Sequence, residues 1–428
     1  MAHRGANVGN IISNYSLRSL GFLLVPLTVA AVLTACGAAE DSTEPVAEGT
    51  QPTLREITTY AGTGSPRFAG DGGLAIDAGF YAPTAVAMDT DGNLHIATDN
   101  RVRRVAADTG IITTVAGTGR NHSNGDGGLA SEAALSEPKG LTIDVAGNLF
   151  IVETSGGLIR RVDGTTGIIT TVAGGGIGNP REKLFGDGGP ATEALIKQPA
   201  GVAVDAKGNL YIATDNRVRK LDASSGIITT YAGIGERGLE GDGGLATEAG
   251  LAEPFGVAVD RQGNLYIADS DNHRVRKVDA ASGIITTVAG IGKNAERTSN
   301  AYRAVRSHIA TEWVTTNEAA GGAGYSGDGG PASEARLHIP NSVALDAQGN
   351  LYISDGRQRV RRVDSATSVI TTVATSETVK GQGTTGKLQV LTTDVGEITS
   401  IAVTDSGEVF LADKKKNVVH KVSATASP

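Results

Sequence analysis

The chain has 428 residues, of which 59 are Gly, with one Trp, two Met and a formal net charge of -8. High Gly with many Val, Ile and Thr excludes an all-helical core, which favours Leu, Met and few Gly. The mixed, mildly acidic charge excludes a general nucleic-acid binder, which needs a basic face.

In chain order, Arg4 and Arg18 flank the approach to an apolar run, Leu20 to Leu33. A basic stretch before a short, Pro-broken apolar run has the form of a signal peptide rather than a spanning helix. The run ends in LTAC, Leu33 to Cys36. This string resembles the lipobox of bacterial lipoproteins, whose Cys carries the lipid. The resemblance implies a signal peptide over 1–35 and lipidation at Cys36. It also implies an extracytoplasmic place in the bacterial cell envelope, with membrane contact through the lipid anchor only. The plainer reading is an ordinary apolar Cys beside a signal-peptide cut. Cys36 is the only Cys, so no disulfide within the chain is available. Residues 36–53 are small, acidic and Pro-containing, the composition of a tether.

From residue 54 the chain repeats itself. The clearest phrase runs from Pro254 to Gly290, with relatives from Pro83, Pro138, Pro199 and Pro340, and a worn sixth from Ile398. Asp260 is matched by Asp89, Asp144, Asp205 and Asp346, and by Thr404 in the sixth. Each phrase holds four short β-rich runs parted by turn residues. Between the first two lies DRQGN, where Asp260 and Gly263 predict a hairpin turn. Four antiparallel strands at a long period describe a propeller blade. The sixth phrase supplies only three strands, while an orphan strand, 57–62, stands before the first phrase. Pairing the two closes a ring. The prediction is an all-β, six-bladed β-propeller of four-stranded antiparallel blades over 54–422, with a short tail, 423–428. An open solenoid gives the orphan strand no purpose.

The phrase GVAVDRQGNLYIAD with NHRVRKVD, Asn272 to Asp279, resembles NHL repeats. The resemblance is especially to bacterial forms with a GDGGPATEA segment between blades. The resemblance implies the fold. It does not fix a function, since relatives include binding platforms, sensors, lyases and esterases.

Four candidate sites follow. GDGG recurs five times, with Asp71, Asp126, Asp187, Asp242 and Asp328, each followed six residues on by an acid. One reading is a set of Ca²⁺ or other divalent-metal loops. The other is mechanical: the Asp caps backbone N–H groups and the residues after it form a short helical turn. Basic residues recur in the third strand, as Arg101, Arg103 and Arg104 in the first phrase. Alternating with Val and lacking an aromatic series, they read as surface cover and ion-pair partners rather than nucleic-acid contacts. His122, His308 and His338 lie in loops of different blades, a possible metal set by residue type but not by spacing. His95 takes the place of Phe or Tyr in other repeats and is expected to pack as a ring. The longest break in the period is an insertion over 291–326. It carries Trp313, Tyr302, Arg303, Arg306 and Tyr325, residue types suited to anchoring a partner. The function expected is a binding platform for a protein or glycan. The alternative is a metal-dependent lyase or hydrolase with a divalent ion in the central channel.

Overall fold

In the computed structural model, residues 55–176, 185–292, 325–376 and 395–424 are described. They form six four-stranded antiparallel sheets. Five are continuous in sequence: 85–116, 138–174, 201–232, 254–289 and 342–375. The sixth joins 398–422 to Ile57–Ala61, which pairs with Val418–Val422. The predicted closure over 57–62 is therefore present, one residue shorter than expected. Ile57 faces Val422 and Thr59 faces His420 across this pair.

Each blade alternates apolar residues between its two faces, because strand side chains alternate. The buried residues accordingly fall into six clusters, each shared by two consecutive blades. Val86, Ile96 and Ile112 of blade one meet Phe410, Ala412 and Val419 of blade six. Ile267 and Leu265 of blade four meet Ala213 and Val218 of blade three. The core is thus a ring of six seams.

The turns predicted from DRQGN take the expected form. In blade four, Asp260 accepts hydrogen bonds from the backbone N–H of Gln262 and Asn264, at 3.0 and 2.8 Å. The side-chain oxygen of Asn264 then accepts from the N–H of Ala280, tying this turn to the next one. Thr404 does the same work in blade six, accepting from Glu408 N–H at 3.0 Å. His95 is buried as expected and also hydrogen-bonds Asp89 at 3.2 Å. Tyr211 and Tyr352 make the same contact to Asp205 and Asp346.

The inner strands carry small residues where they come closest: Ala85, Gly140, Gly201, Gly256, Ser342 and Ser400. A Cβ on Gly201 would lie 2.3 Å from the carbonyl oxygen of Phe255 in the next blade. Since that neighbour is backbone, it cannot turn aside. Gly201→Ala is expected to cost about 1–3 kcal/mol, the range for overpacking a core. Urea unfolding of the variant against the parent checks it.

Candidate functional site

The GDGG segments sit on the outside of the ring, and each engages the blade that follows it. Gly72 N–H donates to Ile112 O at 2.7 Å, and Ile112 N–H returns to Gly73 O at 2.9 Å. Ile112 begins the outer strand of blade one. The far end of the segment is held by the blade before, where Gly62 N–H donates to Ala75 O at 2.9 Å. The segment is therefore a latch between consecutive blades. The residues after it form short 3₁₀ turns, such as Ala75–Asp77.

The latch carboxylate reaches into the blade. Asp71 accepts from Arg103 at 2.6 Å and caps Thr114 N–H of the outer strand at 3.1 Å. The same pairing joins Asp126 to Arg160, Asp187 to Arg219, Asp242 to Arg276 and Asp328 to Arg361. The Asp thus serves the neighbouring blade rather than its own loop. A guanidinium occupies the position beside the carboxylate where the Ca²⁺ reading would put a cation. The acids six residues on, Asp77, Glu132, Glu193, Glu248 and Glu334, are exposed at the ends of the 3₁₀ turns.

The five arginines are almost fully enclosed, at 0–2% exposure. This departs from the expectation of surface cover. Their neighbours Arg104 and Arg161 in the same strands are partly exposed and do pair at the surface. Sequence alone does not separate the two, because register and blade packing decide which face of the third strand is covered.

There is also a second layer of acids. The second strand ends in Glu153, Asp269, Asp355 and Asp413 in blades two, four, five and six, all fully buried. Glu153 pairs with Arg160 at 2.7 Å, and Asp355 with Arg361 at 3.4 Å. These acids also accept backbone N–H groups of the incoming connection: Ala252 to Asp269, and Gly396 and Glu397 to Asp413. In blades one and three Thr98 and Thr214 stand there instead, donating to carbonyls. The signal was present in the sequence as an acid or Thr closing each second run.

Burial pushes Asp269 and Asp355 up to about 6, against partial compensation from hydrogen bonds and Arg276 or Arg361. Their ordinary value is 3.8. Between about pH 4 and 6 the folded state holds the extra proton, so this contribution to stability falls as pH rises. Asp355→Asn should flatten that part of the pH–stability curve. Unfolding free energies at pH 4.5 and 7 for parent and variant measure it.

Blade six breaks the pattern in two linked ways. The connection entering it, 376–397, has no GDGG. At the position of the buried Arg stands His420, which hydrogen-bonds Asp413 at 3.2 Å. The latch Asp and its Arg are thus present together in five blades and absent together in the sixth.

At the centre, the inner strands surround a narrow well of about 70 Å³, open to solvent. Above the small residues already named, at the end where connections arrive, the side chains vary from blade to blade. Lys139, Ala200, Phe255, Asn341 and Thr399 line it there. Thr399 donates to Pro83 O, and Thr84, the matching residue of blade one, to Pro138 O. Among the described residues lining the well, Lys139 is the ionisable side chain, and none is a carboxylate or imidazole.

The other candidates fall as follows. Tyr325 sits at the latch of blade five. Its hydroxyl meets Asp328 at 3.0 Å and Thr372 at 2.9 Å, and its ring lies 4.1 Å from the Arg359 guanidinium. Phe68 holds the same place over Arg101 and Arg103, so Tyr325 belongs to the repeat rather than to the insertion. His338 stacks on His273 with centroids 5.9 Å apart, and burial together with Arg359 lowers its pKa. His122 bonds Asn124 at 3.0 Å. Among the described residues no group of three or more His, Cys, Asp or Glu is placed to hold a metal. Cys36, Tyr302, Arg303, Arg306, His308 and Trp313 lie outside the described residues.

The Teneurin NHL domain matches the chain over 118–179, 178–240, 235–321 and 317–391, well over half its length. The chain belongs to this NHL family. Teneurin-1 of Mus musculus is 26% identical over 306 residues, covering 65% of this chain and 10% of that protein. Teneurin-4 of Mus musculus is 30% identical over 250 residues, covering 55% of this chain and 8% of that protein. The NHL chain therefore spans about a tenth of these curated relatives. A solved auxiliary nutrient binding protein from Bacteroides ovatus superposes with a TM-score of 0.56 at 14% identity, over 87% of this chain and 77% of that one. That likeness is one of fold.

Proposed function

We propose that this NHL propeller is a lipid-anchored, extracytoplasmic platform that binds a protein or glycan. One observation carries the binding reading. Antiparallel order puts the turn between strands one and two of every blade, and that between three and four of the first five, at one end. Those turns are uniform: Asp89–Asn93, Asp144–Asn148, Asp205–Asn209, Asp260–Asn264 and Asp346–Asn350 share one form. The connections between blades emerge at the other end; five share the GDGG latch, but outside it they vary in length and composition, with the span from Ala289 to Ser342 the longest. Constancy at one end suits construction, and variation at the other suits recognition. The name of the Bacteroides ovatus neighbour is compatible with this use of the fold.

The anchor rests on LTAC at 33–36. Growth with labelled fatty acid should mark the parent chain and leave Cys36→Ser unmarked. Label on both sinks the anchor. For binding, envelope extracts passed over immobilised parent should yield a partner that Trp313→Ala loses while its circular dichroism is unchanged. Equal capture by both removes the insertion from the reading. The metal-dependent alternative needs donors in the central well, whose described lining holds Lys139, Asn341 and Thr399 among small and apolar residues. Elemental analysis after dialysis tests it: one tightly held divalent ion per chain favours the alternative.

A further inference from the structure

At the turn end of the ring, blade one departs from its neighbours. In blades two to five the turn from the third strand to the fourth opens with Asp163, Asp222, Asp279 or Asp364. One carboxylate oxygen accepts from the turn itself. Asp163 Oδ1 takes the N–H of Thr165 at 3.1 Å, the N–H of Thr166 at 2.9 Å and the Thr166 hydroxyl at 3.0 Å. In blades two and five the other oxygen accepts from the third-strand guanidinium, Arg161 at 2.9 Å and Arg362 at 3.1 Å. Hydrogen bonds from Thr166, Ser224, Ser282 and Thr367 hold the four carboxyls below their ordinary value. Each of these turns is a carboxylate socket filled by its own Asp.

Blade one has the socket without the carboxylate, because the residue there is Ala106. The backbone of the turn is the same: Gly110 N–H donates to Ala106 O at 2.8 Å, as Gly167 N–H does to Asp163 O at 2.9 Å. The matching donors are the N–H groups of Asp108 and Thr109 and the Thr109 hydroxyl. No group among the described residues accepts from them. Arg104 is also left short. It lies 3.9 Å from Asp89, beyond hydrogen-bond reach, and that carboxylate already accepts from Asn93 and contacts His95.

These groups border a groove of about 510 Å³ lined by Asp91, Asn93, Arg104, Ala107 and Asp108, a size that suits a small molecule. Asp91 and Asp108 are exposed, and no blade from two to five has an acid at either place. A purely anionic ligand would meet both carboxylates, and a purely cationic one would meet Arg104 and the bare N–H donors. We propose that this groove binds a free α-amino acid. Its carboxylate takes Arg104 and the donors of Asp108 and Thr109, and its ammonium pairs with the flanking carboxylates of Asp91 and Asp108. The methyl of Ala106 seats that carboxylate further out than Asp163 sits, inside the groove, where the partly exposed Arg104 side chain meets it. The site goes beyond the platform reading and stands or falls without it, since it lies at the turn end, away from the varied connections.

Ligand-observed NMR titration of the full chain tests it, with L-alanine, N-acetyl-L-alanine and L-alaninamide as probes. Alanine should bind saturably, and each blocked form at least about tenfold more weakly, the worth of one charge-assisted contact. Ala106→Asp gives the socket the carboxylate that the other blades carry, and it should weaken alanine at least about tenfold, as should Arg104→Met. Native circular dichroism is required of both variants. Absence of saturable alanine binding overturns the proposal, and so does binding that Ala106→Asp leaves unchanged. N-acetylalanine binding as tightly as alanine overturns the amino-acid assignment. Alaninamide binding as tightly as alanine shows that the acids alone hold the ligand and overturns the socket.

Discussion

Asp71→Ala is expected to destabilise the ring by about 3–5 kcal/mol, and Asp242→Ala by clearly less, although both remove the same latch carboxylate. The reason lies in what each leaves behind. Arg103 is fully buried, and Asp71 is its carboxylate partner; the residue closing the second strand of that blade is Thr98. Removing Asp71 strands a buried guanidinium that cannot shed its proton. Arg276 is equally buried but keeps Asp269 at 4.0 Å, so a counter-charge survives Asp242→Ala. Asp187→Ala should follow Asp71→Ala, since blade three carries Thr214, while Asp126→Ala and Asp328→Ala should follow Asp242→Ala. Chemical unfolding of the five variants should sort them into two groups by blade. One uniform cost would show that the second acids do not share the charge.

The second large effect concerns closure. Deleting 55–62 should abolish the single cooperative unfolding transition and leave an aggregating chain. Without Ile57–Ala61, the third strand of blade six, Val418–Val422, becomes a bare edge with its N–H and C=O groups unpaired. The deletion also removes Ala61 and Tyr60 from the seam between blades six and one, where Tyr60 packs edge-on against Phe410 at 4.8 Å. Adding a synthetic peptide of residues 55–62 should restore solubility, because strand addition through backbone bonds needs no covalent link. A deleted chain that stays monomeric and unfolds in one step would show that the ring closes without this strand.

Much of this was legible beforehand, for physical reasons. The period of the repeats, Asp and Gly in the turns and the strand without a phrase are all local signals, and each dictates its own geometry. The ring followed from counting them. The role of the GDGG segments was not legible, because their partner is a strand more than thirty residues away, in the blade that follows. Asp71 and Arg103 meet only after the chain has crossed from one blade into the next. Likewise, RVRRV shows that Arg103 and Arg104 differ in facing but not which of them is enclosed. A further clue lies in the repeats themselves. Six repeats in one chain form a comparison set, and the sixth loses GDGG and exchanges Arg for His420 together. That joint loss already coupled the two positions. The lining of the well was not legible for the opposite reason: Lys139, Phe255 and Asn341 carry no motif, and they stand out only as the varied members of an otherwise fixed register.

The register of the closing pair has a mechanical consequence. Ile57, at the start of its strand, faces Val422, at the end of its own. Tension applied through the two ends of the folded ring therefore loads one rung at a time, as a zipper is opened, rather than all rungs in parallel. The blade under that load is also the one without a GDGG clasp. Force that enters through the termini should open the ring at blade six at low load, while force entering through the latched blades should meet far stiffer resistance.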